Sequence, residues 1–167
     1  GTNALDYGHT PKALVPFHKY EKEIRTSLEE HFVEGAKYAS GIDESVRLHF
    51  TISPDHMKAA KKQAHDLANK YESLYNVQYE VSFSIQEEST NTIAVDVNDQ
   101  PVRLSDGRML FRPAGHGALL ENLKGLDSDI IFIKNIDNVC REELQSTTWN
   151  WKKVLAGKLI EIREVMR

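Results

Sequence analysis

The stretch VQYEVSFSI, from Val77 to Ile85, alternates apolar and polar residues with a strict period of two. That period is typical of a β-strand, because successive side chains of a strand point to opposite faces. The segment before it has the spacing of an amphipathic helix and reaches back to Ser53-Pro54, where a helix is expected to start. Another alternating run, RLHFTI from Arg47 to Ile52, precedes that helix. The order strand, helix, strand predicts a parallel pair joined by a helical crossover.

The rest of the chain repeats this alternation. Apolar residues recur every four positions from Ile24 to Ala36 and predict an amphipathic helix that stops at Gly41. The run DIIFI, from Asp129 to Ile133, is typical of a strand buried on both faces. Further strands are predicted over 13–17, 92–97 and 109–111, with turn pairs at 98–99 and 106–107 that indicate a small antiparallel excursion, and further helices over 115–123 and 144–166.

These patterns predict one α/β domain over residues 1–167, a three-layer fold in which helices flank a mostly parallel mixed sheet. The chain has 21 Lys and Arg against 25 Asp and Glu, a net charge of -4, which argues against a nucleic-acid partner. Its single cysteine, Cys140, provides neither an internal disulfide nor a thiolate zinc site. No apolar run approaches the roughly 18 residues of a membrane span and no signal peptide opens the chain. We therefore expect no membrane partner and a cytoplasmic location.

Two stretches at the ends of predicted strands carry functional signals, because ligands of parallel α/β sheets bind beyond the carboxyl ends of the strands. Gly115-His116-Gly117 lets the backbone approach a ligand closely and exposes the N–H groups of a helix start. A tight turn that needs positive φ explains the glycines equally well. Asp137, in the polar cluster after Ile133, is a candidate metal ligand. The structural alternative is that Asp137 or Asn138 caps the last helix.

For two further residues, Lys12 and Gln86, a functional role is indicated only in combination with the other stretches. Lys12 precedes the first predicted strand and suits the neutralisation of a phosphate, although a lone lysine there is usually solvated. Gln86 follows Ile85 and offers both a donor and an acceptor to the edge of a base, although a polar loop is the simpler interpretation. The seven histidines, His49 among them, have no partner at a recognised ligand spacing, and no Gly-x-Ser-x-Gly elbow is present.

Taken in order, these stretches resemble UDP-sugar pyrophosphorylases. The similar motifs are Pro-x-Gly-His-Gly at 113–117, followed by a helix, and Asn-x-Asp-Asn at 135–138, after an apolar strand. The wider sequence, including FHKYEKEIRTSLEEH, TIAVDVNDQP, FRPAGHGALLENL and DIIFIKNIDNV, is similar to a bacterial domain family of unknown function related to them. That similarity covers nearly the whole chain. The resemblance implies a nucleotide-diphospho-sugar transferase-like fold, of which this chain is a fragment.

The resemblance also implies a role for each candidate residue. Lys12 corresponds to a phosphate-contacting lysine, and Asp137 to the ligand of a Mg²⁺ ion between nucleotide and sugar phosphate. Gln86 lies where a glutamine reads uracil, while Gly115, His116 and Gly117 line the base and ribose. The implied partners are a nucleoside triphosphate, UTP, or a UDP-sugar, together with a sugar phosphate. The implied activity is transfer of a nucleotidyl group to a sugar 1-phosphate.

Two departures separate this chain from the pyrophosphorylases. Ala118 follows Gly-His-Gly where an aspartate is usual, and the Gly-rich triphosphate-binding loop that should precede Lys12 is absent from residues 2–10. We therefore expect the isolated chain not to turn over, because the leaving pyrophosphate lacks its donors. Two functions stay open: a nucleotidyltransferase core that acts in the full-length protein, and a noncatalytic nucleotide- or sugar-nucleotide-binding domain on the same scaffold.

Overall fold

The computed structural model describes residues 10–166. The Gly-rich loop was expected within residues 2–10. Of these, residues 2–9 lie outside the described range. The described strands are β1 (Pro16–Lys19), β2 (Ile24–Thr26), β3 (Ser45–Thr51), β4 (Gln78–Ser84), β5 (Thr92–Ile93) and β6 (Phe111–Arg112). The described α-helices are α1 (Ser27–Tyr38), α2 (Met57–Tyr75), α3 (Leu120–Lys124) and α4 (Ser146–Val165). Single 3₁₀ turns occur at Lys12–Leu14, Pro54–His56, Glu88–Thr90, His116–Leu119 and Glu142–Leu144.

The centre of the fold is the unit β3–α2–β4, which confirms the predicted strand–helix–strand order. The two strands are parallel, and their register runs from Ser45 opposite Gln78 to Thr51 opposite Ser84. The crossover begins with the 3₁₀ turn at Pro54, as the Ser53-Pro54 pair predicts, and α2 ends at Asn76 in the left-handed conformation. Helices α1 and α2 bury one face each in the core with the strands. The core residues include Leu28, Phe32, Val33, Val46, Phe50, Ala60, Ala64, Leu67, Tyr71 and Tyr79.

Helix α1 starts three residues later than the four-residue spacing predicts. Thr26 is its N-cap, and the Thr26 hydroxyl accepts a hydrogen bond from the Glu29 amide at 3.2 Å. A capping threonine takes extended backbone angles and satisfies one free amide of the first turn, so the helix begins at Ser27. Ile24 belongs instead to β2 and is exposed.

The prediction of one large, mostly parallel sheet is wrong. The described residues form three separate two-stranded sheets, of which only β3–β4 is parallel, while β1–β2 and β5–β6 are antiparallel. The domain is therefore α/β with small sheets, rather than three layers around one mostly parallel sheet. The predicted strand at 13–17 is also shifted, because residues 12–14 form a 3₁₀ turn and β1 begins at Pro16.

The run Asp129–Ile133 is not a strand, since it pairs with no other segment among residues 10–166. Its side chains still alternate: Ile130 and Phe132 are partly buried, whereas Ile131 and Ile133 are exposed. The Phe132 ring packs edge-on against Tyr38 of α1, with ring centroids 4.9 Å apart. One face of the segment thus contacts a helix, and the expected burial on both faces is wrong.

The antiparallel excursion between β5 and β6 is confirmed. Isolated bridges join Val95 to Pro101 and Arg103 to Met109, and Gly107 takes φ +85° at one turn. The regular strand β5 is shorter than the predicted 92–97, because the ladder continues only as single bridges. Within residues 10–166, no helix combines the length and the apolarity needed to cross a membrane.

Candidate functional site

Lys12 and Asp137 lie in contact, with Lys12 Nζ donating to Asp137 Oδ2 at 2.6 Å. Both side chains face solvent, with exposed fractions of 74% for Lys12 and 40% for Asp137. The structure therefore joins the two residues for which the sequence predicts phosphate and metal contacts. Helix α4 has Gln145 at its N-cap position, so neither Asp137 nor Asn138 caps the last helix, and that structural alternative is wrong.

The first turns of α1 hold the backbone beside both residues. Buried Ser27 donates its hydroxyl to the Lys12 carbonyl oxygen at 2.8 Å. One turn later, His31 donates through Nε2 to the Ile136 carbonyl oxygen at 3.1 Å. Burial lowers the pKa of His31, so its ring stays neutral at neutral pH with its proton on this nitrogen. One helix thereby fixes the chain at Lys12 and at the residue before Asp137.

A buried ion pair fixes the segment that leads to Asp137. Lys134 Nζ lies 2.7 Å from both carboxylate oxygens of Glu34, in the last turns of α1. Glu34 is 1% exposed and Lys134 13% exposed, so the pair is shielded from water. Together with the Phe132–Tyr38 ring contact, this pair sets the position of residues 132–137 along α1. No role for Ser27, His31 or the Glu34–Lys134 pair follows from the sequence, because no local pattern links residues that lie 15 to 105 positions apart.

An open groove of about 2190 Å³ extends from the Lys12–Asp137 pair along the sheet. One wall is the polar face of β3 and β4, which includes Arg47, His49, Thr51, Glu80 and Ser82. The lining also includes apolar residues from the later part of the chain, among them Leu119, Leu123, Leu126, Ile130 and Ile160. The groove therefore suits a ligand with one charged end and one apolar or planar part.

Gln86, Gly115 and Gly117 lie outside the lining of this groove. Gln86 is partly buried and donates to the Thr90 hydroxyl at 3.2 Å. Asn122 of α3 donates to Ser84 at 2.7 Å and to the Ile85 carbonyl oxygen at 2.9 Å. These bonds hold the helix that follows the glycine loop against the end of β4, one residue before Gln86. The structure thus places α3 beside the end of β4, and among the described contacts none joins Gln86, Gly115 or Gly117 to Lys12.

The glycines at 115 and 117 are not required by the local backbone. Gly115 has φ -71°, and neither glycine has the positive φ that a tight turn would need. A Cβ atom added at Gly115 or Gly117 meets no heavy atom within 4 Å. The positive-φ explanation is therefore wrong. The side chain of His116 lies outside what the structure describes, so its predicted role stays a prediction.

The residues at Asp137 fit a magnesium ion only in part. Among residues 10–166, no three His, Cys, Asp or Glu side chains are grouped closely enough to hold a metal ion. Mg²⁺ often binds through one or two carboxylates while ligand phosphates and waters supply the other oxygens. The single Asp137 carboxylate fits an ion that arrives with phosphates, and does not fit an ion held by the protein alone.

The structure is thus an α/β domain in which an exposed ion pair lines a candidate ligand groove. The chain belongs to the family described as Domain of unknown function (DUF4301), whose profile matches residues 1–167. This confirms the predicted similarity to a domain family of unknown function, while the likeness to UDP-sugar pyrophosphorylases stays a prediction. No curated protein and no solved structure is significantly similar to the chain.

Proposed function

We propose that this domain binds a nucleotide or sugar nucleotide with its phosphates at Lys12 and Asp137, and that the full-length protein transfers a nucleotidyl group from UTP to a sugar 1-phosphate. The observation that carries the proposal is the 2.6 Å contact between Lys12 Nζ and Asp137 Oδ2 at the groove. An exposed ion pair of this kind stabilises a fold by only about 0–1 kcal/mol. The pair is therefore not expected to be important for folding, and its exposure at the groove is compatible with a role in ligand binding.

Each partner contributes a different property. The Lys12 ammonium is a compact charge that donates to phosphate oxygens, and Asp137 keeps it directed at the groove before a ligand binds. Phosphate oxygens are then expected to replace the carboxylate as the partner of Lys12. Asp137 would hold a Mg²⁺ ion carried by the phosphates, and that ion would supply further neutralisation of their charge.

In the proposed transfer, an oxygen of the sugar phosphate attacks the α-phosphorus of UTP. The new phosphorus–oxygen bond forms while the bond to the β-phosphate bridging oxygen breaks, and pyrophosphate leaves. The protein forms no covalent bond, so its contribution is to position the two phosphates and to stabilise their charge. Lys12 provides the charge, while Ser27 and His31 keep the neighbouring backbone in place.

The proposed nucleoside end consists of Gln86 and the loop Gly115–Gly117. Support comes from the free space around Gly117, where an added Cβ meets nothing within 4 Å. Gly117→Val is therefore expected to change the free energy of unfolding by no more than about 0.5 kcal/mol. If the loop faces the nucleoside, the same variant weakens UTP binding, whereas unchanged UTP affinity excludes the loop from the site.

The deciding experiment is calorimetric titration of UTP with and without Mg²⁺. We expect Lys12→Met to weaken UTP binding at least about tenfold, because a charge-assisted hydrogen bond contributes about 1.5–3 kcal/mol. Asp137→Asn is expected to remove the Mg²⁺-dependent part of the affinity. Matched controls are Lys58→Met and Asp66→Asn on the exposed side of α2. Wild-type affinity in both site variants would overturn the proposal.

A second assay separates the two open functions. The full-length protein is incubated with UTP and a panel of sugar 1-phosphates, and released pyrophosphate is measured. Release that depends on Lys12 supports transfer. Mg²⁺-dependent UTP binding without release supports the noncatalytic nucleotide-binding domain instead.

A further inference from the structure

The polar face of β3 and β4 carries a serine–histidine cluster, formed by His49, Thr51, Ser82, Ser84 and Asn122. The parallel register places His49 opposite Ser82 and Thr51 opposite Ser84. Asn122 of α3 also contacts the cluster and lines the same groove. All of these residues except Ser84 line the groove, and Ser84 is the last residue of β4. The cluster therefore lies at the carboxyl end of a parallel strand, where α/β proteins place reactive groups.

The histidine ring is held between two serine hydroxyls. His49 Nε2 lies 2.8 Å from Ser84 Oγ, and His49 Nδ1 lies 2.8 Å from Ser82 Oγ. Ser82 also donates to the Leu48 carbonyl oxygen at 3.4 Å, which engages the Ser82 proton. We take the tautomer in which His49 Nδ1 carries the proton and donates to Ser82 Oγ, since Ser82 has the Leu48 carbonyl oxygen as an acceptor for its own proton. This leaves Nε2 as an unprotonated nitrogen that faces Ser84.

Two further side chains, Asn122 and Thr51, contact the Ser84 hydroxyl. Asn122 Nδ2 donates to Ser84 Oγ at 2.7 Å, and its amide orientation is fixed because the same nitrogen donates to the Ile85 carbonyl oxygen. Thr51 Oγ1 lies 3.1 Å from Ser84 Oγ, and either of these two hydroxyls can be the donor. Because Nε2 is the unprotonated nitrogen in this tautomer, Ser84 Oγ donates its own proton to it across the 2.8 Å contact. Burial lowers the pKa of His49, so the ring is neutral and basic at neutral pH.

We propose that Ser84 is a nucleophile that accepts the acyl group of an ester, with His49 as its general base and Ser82 as the residue that positions the imidazole. A hydroxyl within hydrogen-bond reach of a base, which a third group orients in turn, is the arrangement that activates a serine. Ser84 itself is outside the groove lining, but its neighbours His49 and Ser82 line the groove together with apolar residues such as Leu123 and Ile160, which favours an ester whose acyl chain is apolar. The cluster shares the groove with Lys12 and Asp137, but its chemistry does not depend on the proposed phosphate site.

Acylation of Ser84 and hydrolysis of the resulting ester need no cofactor. Ser84 Oγ bonds to the ester carbonyl carbon while its proton passes to His49 Nε2. The bond between that carbon and the alcohol oxygen then breaks, and the alcohol leaves with the proton from Nε2. Water next adds to the acyl carbon and gives a proton to Nε2. Ser84 Oγ leaves and takes that proton back, which releases the carboxylic acid.

The test uses p-nitrophenyl butyrate as the acyl donor. Release of p-nitrophenolate is followed by absorbance, and the butyrylated residue is located by peptide mass spectrometry of the wild-type protein. We expect one butyryl group per chain, on Ser84. This mapping is independent of whether any variant folds, and butyrylation only at lysines or other residues would overturn the proposal.

Variants then assign the roles. Ser84→Ala is expected to abolish the butyrylated peptide, and His49→Gln to slow acylation about 10²-fold or more, the usual contribution of a general base. Ser82→Ala is expected to slow acylation, and Ser82→Thr, which keeps the hydroxyl, to restore it. The control Ser53→Ala removes an exposed groove serine outside the cluster and should acylate at the wild-type rate. Wild-type acylation at Ser84 in His49→Gln would contradict the role of the histidine.

Discussion

Lys12 Nζ lies 2.6 Å from Asp137 Oδ2, although 125 positions separate the two residues in the sequence. Helix α1 explains the contact, because Ser27 and His31 on its first turns bind the backbone at Lys12 and at Ile136. The ion pair is thus a consequence of how two distant segments dock on one helix. Removing the charges should leave that docking intact.

The first prediction is that the Lys12–Asp137 pair contributes little to folding. Both side chains are substantially exposed, so solvent screens their attraction and the expected contribution is about 0–1 kcal/mol. Lys12→Met and Asp137→Asn should each change the free energy of unfolding in urea by less than about 1 kcal/mol. A loss of several kcal/mol would show that the pair is structural, and would weaken its use as evidence for a ligand site.

The second prediction concerns the buried pair Glu34–Lys134. Lys134→Met leaves the Glu34 carboxylate buried without its partner, which typically costs about 3–5 kcal/mol. We expect a matching loss in urea unfolding, together with faster amide hydrogen exchange in residues 130–137. The control Lys158→Met breaks an exposed pair with Glu161 and should change stability by less than about 1 kcal/mol. Equal effects of the two variants would refute the assignment of Lys134 as the anchor.

The sequence predicted the β3–α2–β4 unit because each of its elements carries its own periodicity. The alternation in Val77–Ile85 and the Ser53-Pro54 start signal are local features, and local features do not depend on distant neighbours. The run Asp129–Ile133 shows the limit of this reasoning. An apolar run indicates burial but not the partner, and here the partner is helix α1 rather than two strands.

For the candidate site, too, the sequence could identify individual residues but not the contacts between them. Lys12 and Asp137 were candidates by their position and by resemblance, but their contact depends on Ser27 and His31, which carry no recognisable pattern. His49 had no partner at a recognised spacing in the sequence. Its serine neighbours lie on the other strand, so only the register of β3 against β4 identifies them.

The third prediction is that protonation of His31 lowers the free energy of unfolding in acid. Burial holds the pKa of His31 below its usual value, so the unfolded chain binds the proton more readily than the folded one. The stabilisation is therefore complete above about pH 6.5, the usual value for histidine, and is lost as the pH falls towards the folded-state pKa. Glu34 and Lys134 face the ring with opposite effects on this pKa, and the Phe50 ring packs beside it.

The measurement is the free energy of unfolding between pH 7 and pH 5. His31→Gln keeps a donor for the Ile136 carbonyl oxygen but removes the titrating group, so it should flatten this part of the profile. The control His65→Gln changes an exposed histidine of α2 and should keep the wild-type slope. A wild-type slope in His31→Gln would mean that other groups cause the acid sensitivity.

The fourth prediction compares two glycines inside helices. At Gly35 of α1, an added Cβ would lie 3.0 Å from Leu48 Cδ2 and 3.1 Å from Val46 Cγ1, whereas at Gly157 of α4 it meets nothing within 4 Å. Alanine gains about 1 kcal/mol over glycine in a helix interior, but overpacking a core costs about 1–3 kcal/mol. Val46 is fully buried and has little room to move, so the clash should outweigh the gain at Gly35.

Gly35→Ala is expected to lower the free energy of unfolding by about 1 kcal/mol, and Gly157→Ala to raise it by a similar amount. If urea unfolding shows both variants stabilised, α1 does not pack on β3 as closely as these distances require.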